Sequence, residues 1–515
     1  MSKIQCFFQS IILLFVFASC KPEEKKFPLA EATIAEIELA MAEGKVTAEY
    51  LVEGYLARIE AYDKQGPSIN AIIMVNPKAL ERAKYLDSIY AASGPIGPLH
   101  GIPIIIKDNY DAYGMPTSNG TLALKDSYPP NDAFQVRKLL EAGAIIIAKS
   151  NLAEFASSGA FSVSSRLPGY SRNPYDTRRT TAGSSGGTGA SIAAGLAVVG
   201  LGTDTGSSIR GPSSHQNLFG IRSTMGLTSR DGIVPLALTN DIGGPMARSM
   251  EDAVRVFDVI AGYDSADAIT SKSIGIKEAS YMPFLDDKGL EGVRIGVLKY
   301  LFPIDDSDTS VYTVMLKALS DLENGGAILV DSVEVVGMDS LNKSRSRIRQ
   351  LKRDYNAYLA SLGDSSKFKT LQDIIDSKDY HPYLEKRLLD AQSEVDIPEE
   401  HPDWGKNQAL RQELRDRILG VMDSLNLDVL IYPSFTYPPR LIGDLNGPRG
   451  DTSGKLSPPT GFPAVAVPMG FSYGKYPAGF QLLGRPFSEG TLFKIAYAYE
   501  QKTKHRRAPV GFEEL

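Results

Sequence analysis

A lysine at the end of an apolar run and two Gly/Ser-rich segments hold most of the chemistry this chain's residue types could perform. Lys107 follows Ile102-Pro103-Ile104-Ile105-Ile106, where burial would strip an ammonium of its water and lower its pKa towards a neutral, proton-accepting amine. The first Gly/Ser segment reads Arg179-Thr180-Thr181-Ala182-Gly183-Ser184-Ser185-Gly186-Gly187-Thr188-Gly189. After an apolar helix comes the second, Gly200-Leu201-Gly202-Thr203-Asp204-Thr205-Gly206-Ser207-Ser208-Ile209-Arg210. So many Gly and Ser residues in apolar surroundings imply tight turns, close backbone approach and free N–H groups able to surround an oxyanion. Ser208 follows such a loop, and Ser184 offers a hydroxyl able to pass a proton between Ser208 and Lys107. Serine needs this help because its hydroxyl is almost wholly protonated at neutral pH.

Rival chemistries fit fewer residues. A phosphate cradle needs a lysine after its glycines, and a dinucleotide fingerprint needs a third glycine; neither is present. Gly183-Ser184-Ser185-Gly186-Gly187 also fits the G-x-S-x-G nucleophile elbow of an esterase or lipase-like Ser-His-Asp hydrolase, with Ser185 as nucleophile. That reading requires a histidine base. The chain has five, His100, His215, His381, His401 and His505; His381 and His401 precede prolines in polar surroundings, and each of the five reads as surface or structural. His215, just after the second Ser-rich loop, is the one to watch. Lys107 snorkelling from a strand end and serines capping a helix near Gly187 would explain each residue singly. Jointly, Lys107, Ser184 and Ser208 argue for catalysis and against a non-catalytic solute-binding lipoprotein.

Together these residues resemble the amidase signature family, whose hallmark is a Ser-Ser-Lys triad. The likeness rests on Gly101-Ile102-Pro103 leading to Lys107-Asp108-Asn109, on Gly183-Ser184-Ser185-Gly186-Gly187, and on Gly202-Thr203-Asp204-Thr205-Gly206-Ser207-Ser208-Ile209-Arg210. It continues in Gly461-Phe462-Pro463-Ala464, Pro468-Met469-Gly470 and Pro477-Ala478-Gly479-Phe480-Gln481-Leu482-Leu483-Gly484-Arg485-Pro486. The resemblance implies Ser208 as nucleophile, Ser184 as bridging serine on a cis peptide, Lys107 as base, and an oxyanion hole from the backbone of Thr205, Gly206, Ser207 and Ser208. Asp204 and Arg210 flank that loop as a supporting ion pair, and Asp108 is expected to support Lys107. Ser207 departs from the family's usual glycine. The implied activity is hydrolysis of carboxylic or peptide amides through an acyl-enzyme, with no metal and no organic cofactor. Within the family, the glutaminase component of the tRNA-dependent amidotransferase is a rival that an export signal argues against.

The elements positioning these residues read as α/β. Apolar runs at 102–106, 144–148, 198–202, 293–298, 327–330 and 428–432 lack polar alternation, as strands buried on both faces do, and helical patterns separate them. The expectation is a large mixed, mostly parallel central sheet covered by helices, one domain over 29–510. Residues 264–404 form a variable middle segment, more charged and rich in amphipathic helices such as that of Val311, Met315, Leu319 and Leu322.

The first residues carry a different message. Phe7 to Ala18 is apolar apart from Gln9 and Ser10, too short to span a bilayer comfortably and suited to an export signal. Phe17-Ala18-Ser19-Cys20 resembles a bacterial lipobox, so residues 1–19 read as a lipoprotein signal peptide, Cys20 as the lipid attachment and 20–28 as a polar tether. The protein is thus expected in the cell envelope, lipid-anchored to a membrane. Cys6 and Cys20 are the only cysteines among 515 residues, so the folded part has no disulfide and no thiolate metal site. A net charge of -6 argues against nucleic acid as a partner; the expected partner is a small-molecule or peptide amide substrate.

Overall fold

The computed structural model describes residues 27–157 and 164–515. The expected signal peptide, Cys20 and most of the tether lie outside the described residues. Among the described residues, thirteen strands are β1 (Ile72–Val75), β2 (Pro103–Lys107), β3 (Ile145–Ser150), β4 (Ser164–Ser165), β5 (Gly169–Tyr170), β6 (Val199–Asp204), β7 (Phe219–Arg222), β8 (Ile242–Ala247), β9 (Arg294–Val297), β10 (Ile328–Val330), β11 (Val429–Pro433), β12 (Ala464–Ser472) and β13 (Tyr476–Leu483). β4 and β5 form a small hairpin, and the other eleven make one sheet in the order β1-β3-β2-β6-β8-β7-β12-β13-β11-β9-β10.

The sheet is mixed and wrapped by helices. Parallel pairing falls in two blocks, β3-β2-β6 and β11-β9-β10. Antiparallel strands join them through β8, β7, β12 and β13, and β1 adds antiparallel to β3. An uninterrupted apolar run reports burial of both faces, which antiparallel strands in a covered sheet share, so the run pattern does not reveal this antiparallel centre.

Helices start where capping chemistry directs them. The Thr33 side chain accepts from Glu36 N at 3.2 Å while Glu36 Oε2 accepts from Thr33 N at 2.9 Å, closing a capping box at the head of Ile34–Ala42. Thr47 caps the next helix, Ala48–Arg58. In Thr309–Asn324 the stripe Val311, Met315, Leu319 and Leu322 is buried, as the spacing requires. Glycine decides how closely the helix Gly186–Ala193 seats against the strand ends. A Cβ on Gly187 would lie 2.3 Å from Asn151 O and 2.6 Å from Ala71 O, both backbone atoms that cannot yield.

Within the middle segment, β9 and β10 extend the main sheet, whereas helices Leu351–Ser361, Leu371–Ser377 and Glu385–Gln392 build an apolar cluster of their own. That cluster packs on Leu124, Phe155 and Val234. It stands next to the strand ends where the chemical groups converge.

Candidate active site

β2 and β6 are parallel neighbours with Ile106 opposite Leu201, so Lys107 and the pair Thr203-Asp204 leave the sheet side by side. Lys107 is fully buried. Its Nζ donates to Ser184 Oγ at 2.7 Å and to Thr203 Oγ1 at 2.7 Å, with Thr203 O at 3.5 Å. Burial lowers its pKa to about 7, against the upward pull of Asp204 and Asp241. An amine so placed is poised between its charged and neutral forms at neutral pH, as a general base should be.

Ser184 follows a cis Gly183-Ser184 peptide bond, and its carbonyl accepts from Ala153 N at 3.0 Å. Ser208 is held against the same segment, since its carbonyl accepts from Ser185 N at 3.2 Å. Of the three expected catalytic side chains, Ser208 retains the most exposure, at 9%, while Ser184 and Lys107 are sealed beneath.

The loop 205–208 is fixed by a buried ion pair network. Asp204 Oδ2 accepts from Arg210 Nε at 3.0 Å and from Ile209 N at 3.1 Å, and Asp204 Oδ1 lies 3.2 Å from Arg222 Nη1. Burial opposes charge on Asp204, but Arg210 and Arg222 together outweigh it and bring its pKa down to about 2. Arg210 also donates to Gly206 O at 2.7 Å, Ser453 O at 2.8 Å and Gln481 Oε1 at 2.5 Å. Thr205 Oγ1 donates to Asp241 Oδ1 at 2.5 Å. The Ser207 side chain hydrogen-bonds Asp451, so the hydroxyl that departs from the family's glycine already has a partner.

Two expectations meet different geometry. Asp108 does not support Lys107; it pairs with buried Lys149 at 3.0 Å and accepts from Ser118 Oγ and Gly120 N. Successive side chains at a strand end point to opposite sides, which separates Asp108 from its neighbour. Ser185 is also unsuited to act as an elbow nucleophile. Its Oγ donates to Thr203 O and accepts from Thr203 N, both at 3.2 Å, beneath the helix it precedes. His215 stacks on Phe435 with ring centroids 4.0 Å apart, and burial lowers its pKa to about 3.

Thr203 and Asn109 were not singled out from the sequence. Asn109 Nδ2 donates to Thr203 Oγ1 at 3.1 Å, completing the polar shell around the lysine amine. Both lie inside the motifs Lys107-Asp108-Asn109 and Gly202-Thr203-Asp204, so the signal was present in their positions. Arg222 comes from β7 and has no comparable local mark.

The chain as a whole has counterparts among known proteins. The Amidase family profile matches residues 50–493, and the chain belongs to the amidase signature family. It is 32% identical over 524 residues to a probable amidase of Arabidopsis thaliana, covering 97% of this chain and 96% of the relative. It is likewise 32% identical over 488 residues to a component of the glutamyl-tRNA(Gln) amidotransferase of Carboxydothermus hydrogenoformans, covering 90% of this chain and 96% of that one. Its fold superposes on the native peptide amidase from Stenotrophomonas maltophilia with a TM-score of 0.84 at 32% identity, spanning 94% of this chain and 99% of that one. The protein is an amidase, a hydrolase of amide C–N bonds.

Proposed function

We propose that this amidase works through a Ser-Ser-Lys relay with an acyl-enzyme on Ser208, and that its substrates are carboxylic or peptide amides, C-terminal peptide amides among them. The observation that carries the reading is the 2.7 Å bond between buried Lys107 and Ser184. In its neutral form the Lys107 amine takes the Ser184 proton, Ser184 takes that of Ser208, and Ser208 Oγ attacks the amide carbonyl. Backbone N–H groups of Thr205, Gly206, Ser207 and Ser208 serve the developing oxyanion; one such donor is typically worth about 100- to 1000-fold in rate. The relay then runs backwards to protonate the departing amine, and water activated by the same chain releases the acid. The near full-length likeness to a peptide amidase supports peptide amides as the substrate class. Fluorophosphonate labelling tests the assignment: Ser208→Ala should abolish it and Ser185→Ala should leave it. Retained labelling in the first variant would return the elbow reading.

We propose in addition that residues 1–19 are a lipoprotein signal and that acylated Cys20 holds the enzyme in the cell envelope. The Phe17-Ala18-Ser19-Cys20 sequence supports this. Mass spectrometry of the membrane-extracted protein should find a mature chain starting at lipid-modified Cys20; an intact Met1 would refute it.

A further inference from the structure

Away from the active site the surface carries a concentrated patch of positive charge. At its centre three cations share one carboxylate, Asp176, with Arg178 Nη2 at 2.8 Å, Arg179 Nε at 3.6 Å and Lys475 Nζ at 3.6 Å. The Arg178 and Lys475 side chains stay 72% and 52% exposed. The Tyr476 ring centroid lies 4.1 Å from the Arg179 guanidinium and 4.7 Å from the Lys475 amine. From Lys475 the patch continues through Gly474, whose carbonyl accepts from exposed Arg507 at 3.5 Å, and the Arg507 guanidinium stands 3.6 Å over the Phe471 ring. Tyr175 packs on Phe471 with centroids 5.7 Å apart, donates to Arg507 O at 2.6 Å and accepts from Arg506 Nη1 at 2.6 Å. Arg506 in turn reaches Glu31 through two bonds, of 2.6 and 3.0 Å. Five cations against two carboxylates leave this face strongly positive in a chain whose net charge is -6. Asp308 and Asp321 stand at its border and are engaged, the first capping Thr309–Asn324 and the second paired with Lys317 at 2.7 Å.

Position decides what such a face meets. Glu31 is four residues after Phe27, and Phe27 follows Cys20 by seven, a stretch that spans at most roughly 25 Å. An anchor at Cys20 would keep the Arg506 end of the patch close to the bilayer, where even a weak attraction docks it. The glutamates that share a cavity wall with Phe27 are occupied: Glu514 accepts from Leu29 N and Ala30 N, Glu36 closes its capping box, and Glu43 pairs with Lys45 at 2.5 Å. Exposed apolar and aromatic side chains interleave with the cations, Leu441 bridging opposite Arg179 and Tyr473 preceding Gly474. Nucleic-acid phosphates are met by cations and polar groups, whereas a bilayer interface takes cations together with leucine and tyrosine.

We propose that this basic face docks the enzyme on anionic phospholipid headgroups, as a second membrane contact beside the lipid anchor. The proposal rests on the reading of Cys20 as the lipid attachment, and one sample tests the two separately. Full-length protein extracted from membranes, with Trp404→Phe and Tyr473→Trp, carries its single tryptophan at the patch. Its intact mass reports whether Cys20 is acylated. Phosphatidylcholine vesicles with or without phosphatidylglycerol carry a headgroup quencher. Tryptophan quenching should appear with phosphatidylglycerol at low salt, be absent without it, and be lost at about 1 M salt, where the screening length shrinks to about 3 Å. Arg178→Gln, Lys475→Gln and Arg507→Gln together should lower the docked-to-free ratio about 100-fold, roughly fivefold for each cation, and abolish the quenching while the rate on a soluble amide stays unchanged. Lys84→Gln, Lys138→Gln and Lys386→Gln remove the same charge from other exposed sites and should leave the quenching intact.

Quenching in a protein with unmodified Cys20 refutes the anchor and leaves the docking face standing. Acylated Cys20 without quenching, or equal quenching in the parent and the patch variant, refutes the face and leaves the anchor standing. Relief of the quenching by a duplex DNA fragment matched in phosphate to the vesicles would overturn the membrane as partner in favour of nucleic acid.

Discussion

If Lys107 is the base of the proposed relay, its titration should set the pH dependence of this enzyme. With a pKa brought down to about 7 by burial, the amine is mostly neutral above that pH and mostly charged below it. Only the neutral form accepts a proton, so kcat/KM should fall about tenfold for each pH unit below the pKa. Near pH 5 about one enzyme in a hundred would remain active. The assay is the initial rate of hydrolysis of one amide at subsaturating concentration from mild acid to mild alkali, with circular dichroism confirming the fold at each pH. Asp204 and Asp241 both raise the lysine's pKa, so Asp241→Asn should carry the acidic limb to lower pH. A rate independent of pH down to about pH 5 in folded enzyme would refute lysine as base. A limb unmoved in Asp241→Asn would assign it to another group.

The same burial has a consequence for stability. An unfolded lysine binds its proton up to about pH 10.5, whereas folded Lys107 releases it near 7. Between those values the unfolded chain binds more protons, so stability from this group rises with pH across the window. Below it, the full penalty of order 5 kcal/mol for a buried charge is present. The difference in unfolding free energy between the parent and Lys107→Met, measured at a series of pH values, should therefore change through that window and level off below it.

Other substitutions probe the frame around the relay. Asp204→Asn leaves Arg210 and Arg222 buried without their carboxylate, and should destabilise the fold by about 3 to 5 kcal/mol, read as a lowered denaturation midpoint. Gly187→Ala forces a methyl against Asn151 O and Ala71 O; soluble yield and melting temperature should both drop, and a variant as stable as the parent would show that the helix has room to move. Ser207→Gly restores the family's usual residue and removes only the bond to Asp451, so kcat/KM should stay within about threefold of the parent, far short of the loss of an oxyanion donor. A hundredfold loss would give Ser207 a role in the site itself.

What the sequence made legible follows from the range over which each signal acts. Strands β2, β3, β6, β9, β10 and β11 were marked by their own apolar runs, because these depend on neighbours within one element. The residues of the proposed relay could be picked out for a related reason: Ser184 and Ser208 lie in two neighbouring Gly-rich segments, and Lys107 ends the strand that pairs with β6. Pairing direction was not legible, since β7, β8, β12 and β13 acquire their neighbours from distant parts of the chain and burial on both faces looks the same either way. Asp108 was misread for a geometric reason, because adjacency in sequence becomes separation in space at the end of a strand and its partner Lys149 comes from β3. Arg222 was missed because its value is electrostatic and non-local: one carboxylate, Asp204, stays charged in the core only when two cations from different elements converge on it. The middle segment obeys the same rule. Arg347 and Arg387 are far apart in the chain, yet the fold lines one cavity with both and with Thr205.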